Sequence, residues 1–171
     1  MSRRLDHTLE FDAPAEKVYQ DFTSREYWQT LMDAYLAVIP RSEVTSMHTD
    51  DRGTHIEFVH IVPRDYLPPI GRSILLVDLV ITRKQHFGPF DHAKACAEGT
   101  YSASIPRAPG SFRGEYTLSE TETGSALRLA SECKVHIPLI GGSLEGLILD
   151  GMKDILDTEQ VFTAEWISQH H

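Results

Sequence analysis

The stretch Ala126-Leu127-Arg128-Leu129-Ala130-Ser131-Glu132-Cys133-Lys134-Val135-His136-Ile137 has a period of two. Leu127, Leu129, Cys133, Val135 and Ile137 share one face; Arg128, Glu132, Lys134 and His136 share the other. A strand that is apolar on one side and charged on the other belongs to an antiparallel sheet covered on a single face. The cover follows at once. Leu144, Ile148, Met152, Ile155, Glu159, Phe162 and Trp166 recur at spacings of three and four, and Leu147 and Leu156 widen the stripe. The spacing predicts a helix from about Ser143 to Ser168, about 39 Å long at about 1.5 Å per residue.

Upstream of that junction the two-residue period persists. Val44 to His48 and His55 to Val62 read as strands joined by the turn Asp50-Asp51-Arg52-Gly53. Pro63-Arg64-Asp65-Tyr66-Leu67-Pro68-Pro69 interrupts them. A long strand is expected from about Ile74 to Phe87, one from His92 to Ile105, and one from Phe112 to Ser119. At the start, Leu5, His7, Leu9 and Phe11 alternate with Arg4, Asp6, Thr8 and Glu10. Asp12-Ala13-Pro14 then reads as a helix start with an acceptor at the cap. Thr23-Ser24-Arg25-Glu26 has capping-box spacing and restarts a second short helix, whose buried side is Trp28, Leu31, Met32 and Tyr35. The chain is therefore expected to be α+β, one domain over residues 1–171. A curved antiparallel sheet of about six or seven strands wraps around the long C-terminal helix, with two short helices after the first strand.

Composition narrows the function classes. In 171 residues, 41% hydrophobic and 24% charged are ordinary globular values, which argues against a disordered or fibrous chain. The net charge of −9 repels phosphate backbones and anionic headgroups, so nucleic acid is not an expected partner. No apolar run approaches the length of a membrane helix, and Met1-Ser2-Arg3-Arg4-Leu5-Asp6 lacks the apolar stretch of a signal peptide. Cys96 and Cys133 lie far apart without CxxC spacing, as expected of reduced thiols in the cytoplasm.

The order of elements resembles the helix-grip fold of the START-like or SRPBCC superfamily, which includes the birch-pollen allergen group and many aromatase/cyclases. Phe11-Asp12-Ala13-Pro14-Ala15-Glu16-Lys17-Val18-Tyr19 is similar to that superfamily's first strand and helix, and Trp28 falls where an aromatic often follows. Lys134-Val135-His136-Ile137-Pro138-Leu139-Ile140-Gly141-Gly142-Ser143-Leu144-Glu145 resembles the strand-to-helix junction of an actinobacterial branch, domain-of-unknown-function family 2505. The resemblance implies a ligand-holding fold rather than a particular chemistry.

Candidate site residues follow from the strand phases. If Leu5, Leu9 and Phe11 point inward, so does His7; if Leu129 and Cys133 do, so does Ser131. Tyr116 is in phase with Phe112 and Leu118, and Tyr101 with Ala93, Ala95, Ala97 and Gly99. Trp28 and the helix residues Ile148, Met152 and Ile155 complete a mostly apolar hollow with a few polar groups, the composition of a small-molecule pocket. Gly146 and Gly151 within the helix are read either as close packing on the sheet or as room for a ligand. Tyr66, Leu67 and Ile70 are placed at the pocket mouth. No metal site or cofactor is expected. His55, Glu57 and His60 lack HExxH spacing, and on a strand His60 points away from the other two. Phosphate-loop spacings and a GxSxG elbow are absent from the sequence.

The leading expectation is a binding or carrier protein for a hydrophobic small molecule, lipid, acyl or polyketide-like, acting as a monomer or homodimer. Two alternatives stand beside it. One is a cyclase/dehydratase-like enzyme in which His7 or a tyrosine moves a proton. The other is a co-chaperone-like interaction module whose hollow is merely core.

Overall fold

The computed structural model describes residues 2–171. Its elements are β1 (Arg3–Phe11), α1 (Ala15–Phe22), α2 (Arg25–Tyr35), β2 (Arg41–Asp50), β3 (Gly53–Val62), a 3-10 turn (Arg64–Tyr66), α3 (Pro69–Ile74), β4 (Leu79–Phe87), β5 (Cys96–Ser104), β6 (Gly110–Glu120), β7 (Ser125–Val135) and α4 (Gly141–His170). Seven strands form one antiparallel sheet in the order β1-β7-β6-β5-β4-β3-β2. The inward row of β7, Leu127, Leu129, Ser131 and Cys133, is buried beneath α4, as its alternation predicts.

β2, β3 and β6 run a few residues beyond the expected ranges, and three other strand boundaries fall short of expectation for a local reason. The strand expected from Ile74 begins at Leu79, because residues 63–78 tie themselves into a separate lobe. There Arg64 donates from Nε to the Leu75 carbonyl and from Nη2 to that of Arg72, both at 2.7 Å, while its amide donates to Asp78 Oδ1 at 3.0 Å. The strand expected from His92 begins at Cys96. Asp91 Oδ1 accepts the amides of Ala93 and Lys94, both at 3.0 Å, which folds Ala93 and Ala95 into a turn. The last strand stops at Val135, where the His136 amide turns aside to the Pro109 carbonyl at 2.6 Å.

Helix starts are held by other groups than those the sequence suggests. The cap acceptor of α1 comes from β6: both Glu120 carboxylate oxygens accept the Ala15 amide, at 3.1 and 3.2 Å. A carboxylate there meets the partial positive charge of the helix N-terminus. α2 does restart after Ser24, whose side chain makes no cap hydrogen bond.

The buried face of α4 is rotated from the expected stripe. Leu144, Leu149, Leu156, Thr163, Trp166 and Ile167 are buried, while Ile148 is 37% exposed and Leu147 lies outside the contact. The reason is polar: Glu145, Glu159 and Thr163 sit on the inner face because the sheet and α2 supply partners for them. A purely apolar period cannot register those positions. Nor do the helix glycines line a cavity. A side chain at Gly151 would meet open space, and at Gly146 it would meet the Arg3 guanidinium.

The core is aromatic. The Trp28 ring stacks on Phe58 at 5.4 Å between centroids, and Phe22 stacks on Phe87 at 5.5 Å. Trp28 Nε1 donates to the Phe22 carbonyl at 2.8 Å, so the indole fills space without leaving a buried donor unpaired. The last turns of α4 are fixed by polar contacts. Trp166 Nε1 donates to Asp21 Oδ1 at 3.0 Å, and Gln160 Nε2 to the Glu10 carbonyl at 3.0 Å.

Candidate functional site

Between the sheet and α4 lies a hollow of about 50 Å³. Trp28, Tyr101, Tyr116 and Leu129, four residues expected at the site, line it together with Leu156, Glu159 and Thr163. Drug-sized ligands occupy roughly 300–1,000 Å³, so Phe22, Tyr27, Trp28 and Phe87 already fill most of the space the fold encloses.

The other expected residues take different places. Ser131 lies behind the wall, its hydroxyl 2.6 Å from that of Tyr101. His7 does face inward, but its Nε2 donates to Asp157 Oδ1 of α4 at 2.8 Å. Met152 and Ile155 are half-buried and outside the hollow, and Ile148 faces outward, one position away from the buried Leu149. Tyr66 is 63% exposed, Ile70 is exposed and Leu67 half-buried in the 63–78 lobe.

That lobe lies at one end of the sheet. β1 starts and β3, β5 and β7 end at one end of the curved sheet, where β2, β4 and β6 begin and α4 starts. Ile74, Leu76 (85% exposed) and Val77 of the lobe, with Leu139 and Ile140 of the β7–α4 connection, are exposed there. Behind them the inward row Val62, Leu79, Ile81 and Ala103 is only half-buried.

The deep wall holds a charged network that strand and helix periods do not reveal. Arg83 of β4 donates to Glu159 of α4 from Nη1 at 2.6 Å and from Nη2 at 3.3 Å. Tyr35 of α2 donates to Glu159 Oε1 at 2.6 Å, and the Arg83 guanidinium lies over the Phe58 ring at 4.7 Å. Burial alone would raise the Glu159 carboxyl, but the Arg83 charge and the Tyr35 hydroxyl outweigh it and hold it below its usual value. The pair is thus ionised at neutral pH. Beside it, His60 Nδ1 lies 2.8 Å from Ser42 Oγ, while buried Nε2 has no hydrogen-bond partner among the described residues. Desolvation, then the Arg83 charge, pushes His60 down to about 4. Tyr27 donates to Thr163 Oγ1 at 2.7 Å, and burial raises its hydroxyl well above the ordinary tyrosine value. Two faint signals foreshadow this network: Glu159 interrupts the apolar stripe, and Arg83 is in phase with Ile81 and Phe87.

The thiols take no part. Cys96 and Cys133 are both free, and burial pushes Cys133 up to about 11. No helix is long and apolar enough to cross a membrane among the described residues.

A curved seven-stranded antiparallel sheet gripping one long C-terminal helix, with two short helices after the first strand, defines a helix-grip protein. Norcoclaurine synthase from Thalictrum flavum, solved with dopamine and hydroxybenzaldehyde, has this fold: TM-score 0.61, 15% identity, 100% of this chain and 89% of that one. Ara h 8.0201 shares it at TM-score 0.57 and 10% identity, over 96% and 99% of the two chains. The chain belongs to the protein family of unknown function DUF2505, whose signature matches residues 6–167. It is similar to the uncharacterized protein Rv0481c of Mycobacterium tuberculosis, 27% identical over 175 residues covering 99% of each chain.

Proposed function

We propose that this chain is a binding or carrier protein for a hydrophobic small molecule, a lipid, acyl or polyketide-like compound, held between the sheet and α4. The observation that supports it is the apolar rim. Ile74, Leu76, Val77 and Leu139 are exposed at the end of the sheet next to the half-buried row Val62, Ile81 and Ala103. Exposed apolar patches of this kind accompany binding sites. The ligand's apolar body lies along that row. Its polar end reaches His60 Nε2, a buried nitrogen that a hydroxyl, carboxyl or carbonyl would satisfy. Uptake widens the hollow by moving the first half of α4 off the sheet. The protein works in the cytoplasm as a monomer or homodimer.

Proton transfer by His7 fits less well, because His7 is absent from the lining of the hollow. The test is native mass spectrometry of freshly purified protein, denaturing extraction, and thermal denaturation with fatty acids and polycyclic aromatics. A stoichiometric adduct, or a midpoint rise of roughly 5–10 °C at a ligand concentration about 100 times Kd, is expected. A clean mass together with no shift across the panel overturns the reading.

A further inference from the structure

The outer face of the sheet, away from α4, carries a second and larger recess of about 970 Å³ that reaches from Arg4 and Asp6 on β1 to His48 on β2. One row across it is built from histidines. His48 pairs with His55 across β2 and β3, and His55 with His86 across β3 and β4. Their rings stack at 4.7 Å and 4.5 Å between centroids. Direct cross-strand neighbours on one face are close enough for two side chains to share a ligand.

We propose that His48, Asp50 and His55 form a binding site for one divalent transition-metal ion of the zinc class, at the β2–β3 end of the outer recess. One ligand atom from each of the three lies within 4.8 Å of the others. Asp50 Oδ1 and His55 Nε2 are 3.5 Å apart. Tetrahedral coordination at 2.0–2.1 Å needs ligand atoms about 3.3 Å apart, so the Asp50–His55 edge is nearly in place and small rotations of exposed His48 close the rest. His55 Nε2 is also one of the few shielded polar atoms with no hydrogen-bond partner among the described residues. A metal ion would satisfy that nitrogen.

The surroundings suit such an ion. Asp50 is fixed by its turn, its Oδ1 accepting the Arg52 amide at 2.8 Å. His86 backs His55, held by donation from its own Nε2 to the Arg52 carbonyl at 2.8 Å. Two imidazoles and one carboxylate select zinc, cobalt, nickel or copper over magnesium and calcium, which prefer all-oxygen sites. Three protein ligands leave a fourth position toward solvent and the recess, open to water or to a ligand anion. The chain's net charge of −9 favours a cation.

The test uses the full chain carrying His170→Ala and His171→Ala, which removes the tail as a competing chelator. Zn²⁺ is titrated calorimetrically, Co²⁺ by its visible absorption, and Mg²⁺ serves as the comparator. One Zn²⁺ per chain, a cobalt band of four- or five-coordinate character, and no Mg²⁺ heat are expected. His48→Asn, Asp50→Asn and His55→Asn should each weaken Zn²⁺ by at least about tenfold, since even loss of a supporting contact around a metal costs about 10–100-fold. Should a variant misfold, imidazole NMR resonances report on the parent: Zn²⁺ should shift His48 and His55 and leave His92 unchanged. Three results overturn the site: no Zn²⁺ binding, affinity unchanged in His48→Asn/His55→Asn, or shifts confined to other histidines.

Discussion

The ring of Tyr101 lies on Gly114 of the neighbouring strand, so closely that a methyl group at 114 would collide with the ring and its hydroxyl. The two residues are direct cross-strand partners, and two pairs along, on the same face, Tyr116 covers Gly99 in the mirror arrangement. Each tyrosine thus lies down on a residue without a side chain, and its hydroxyl then reaches the next strand, Ser131 for Tyr101 and the His86 carbonyl for Tyr116. The wall of the hollow is made by glycine as much as by tyrosine.

Gly114→Ala should therefore lift Tyr101 and break its bond to Ser131, costing about 1–3 kcal/mol by overpacking. Tyr101→Ala/Gly114→Ala should be less destabilised than the sum of its single changes. A double-mutant cycle in urea measures the coupling. Strict additivity would mean that the ring is not what excludes a side chain at 114.

The Arg83–Glu159 pair gives a second expectation. Glu159→Gln leaves a buried guanidinium uncompensated and should cost about 3–5 kcal/mol. Arg83→Leu/Glu159→Leu removes both charges and should recover most of that loss. Urea unfolding of the three proteins decides it; a double variant as weak as Glu159→Gln would show that the pair itself, rather than its balance, holds α4.

His60 predicts a pH dependence. Its folded value of about 4 lies below the ordinary value of 6.5, so between those two the unfolded chain binds the extra proton and the folded chain does not. Stability from this group is complete above about pH 6.5 and falls as pH drops toward 4, by up to about 3 kcal/mol. The charges facing it are Arg83 and Glu159. His60→Gln should flatten this part of the pH–stability curve relative to the parent, and superimposable curves would refute the assignment.

On the apolar rim, Leu76→Ser and Leu139→Ser change exposed side chains. Each should leave stability within about 0.5 kcal/mol. Together they should slow uptake of an apolar dye or fatty acid followed by the change in tryptophan fluorescence. Unchanged uptake would move the route away from the lobe.

The strand-rich order and the gripping helix were legible because period two and period 3.6 are written in apolar residues. Leu127 to Val135 and the inward phase of His7, Ser131, Tyr101 and Tyr116 follow from that alone. What stayed hidden was polar. Glu159 and Arg83 are inside because they find each other across some seventy residues of chain, and no local pattern records a partner so far away. The same blindness turned the helix face toward Ile148, since Glu145 and Thr163 look like solvent positions until Val135 and Tyr27 are placed opposite them. Residues 63–78 were missed differently: Arg64 satisfies carbonyls in its own lobe, a matter of side-chain reach rather than period.

The fastening of α4 is uneven. Glu145 Oε1 accepts the Val135 amide at 2.8 Å near its start, and Asp157, Glu159, Gln160, Thr163 and Trp166 bind sheet or short helices further on. Among the described residues, no side chain from 146 to 156 hydrogen-bonds to the rest of the protein. Gly146 and Gly151 fall in that span, each weakening the helix by about 1 kcal/mol relative to alanine. The helix is thus a beam clamped at both ends with its weakest section between the clamps. Amide protons from about 148 to 155 should exchange with deuterium well before those from 160 to 167, because local opening needs only the span between the clamps to give way.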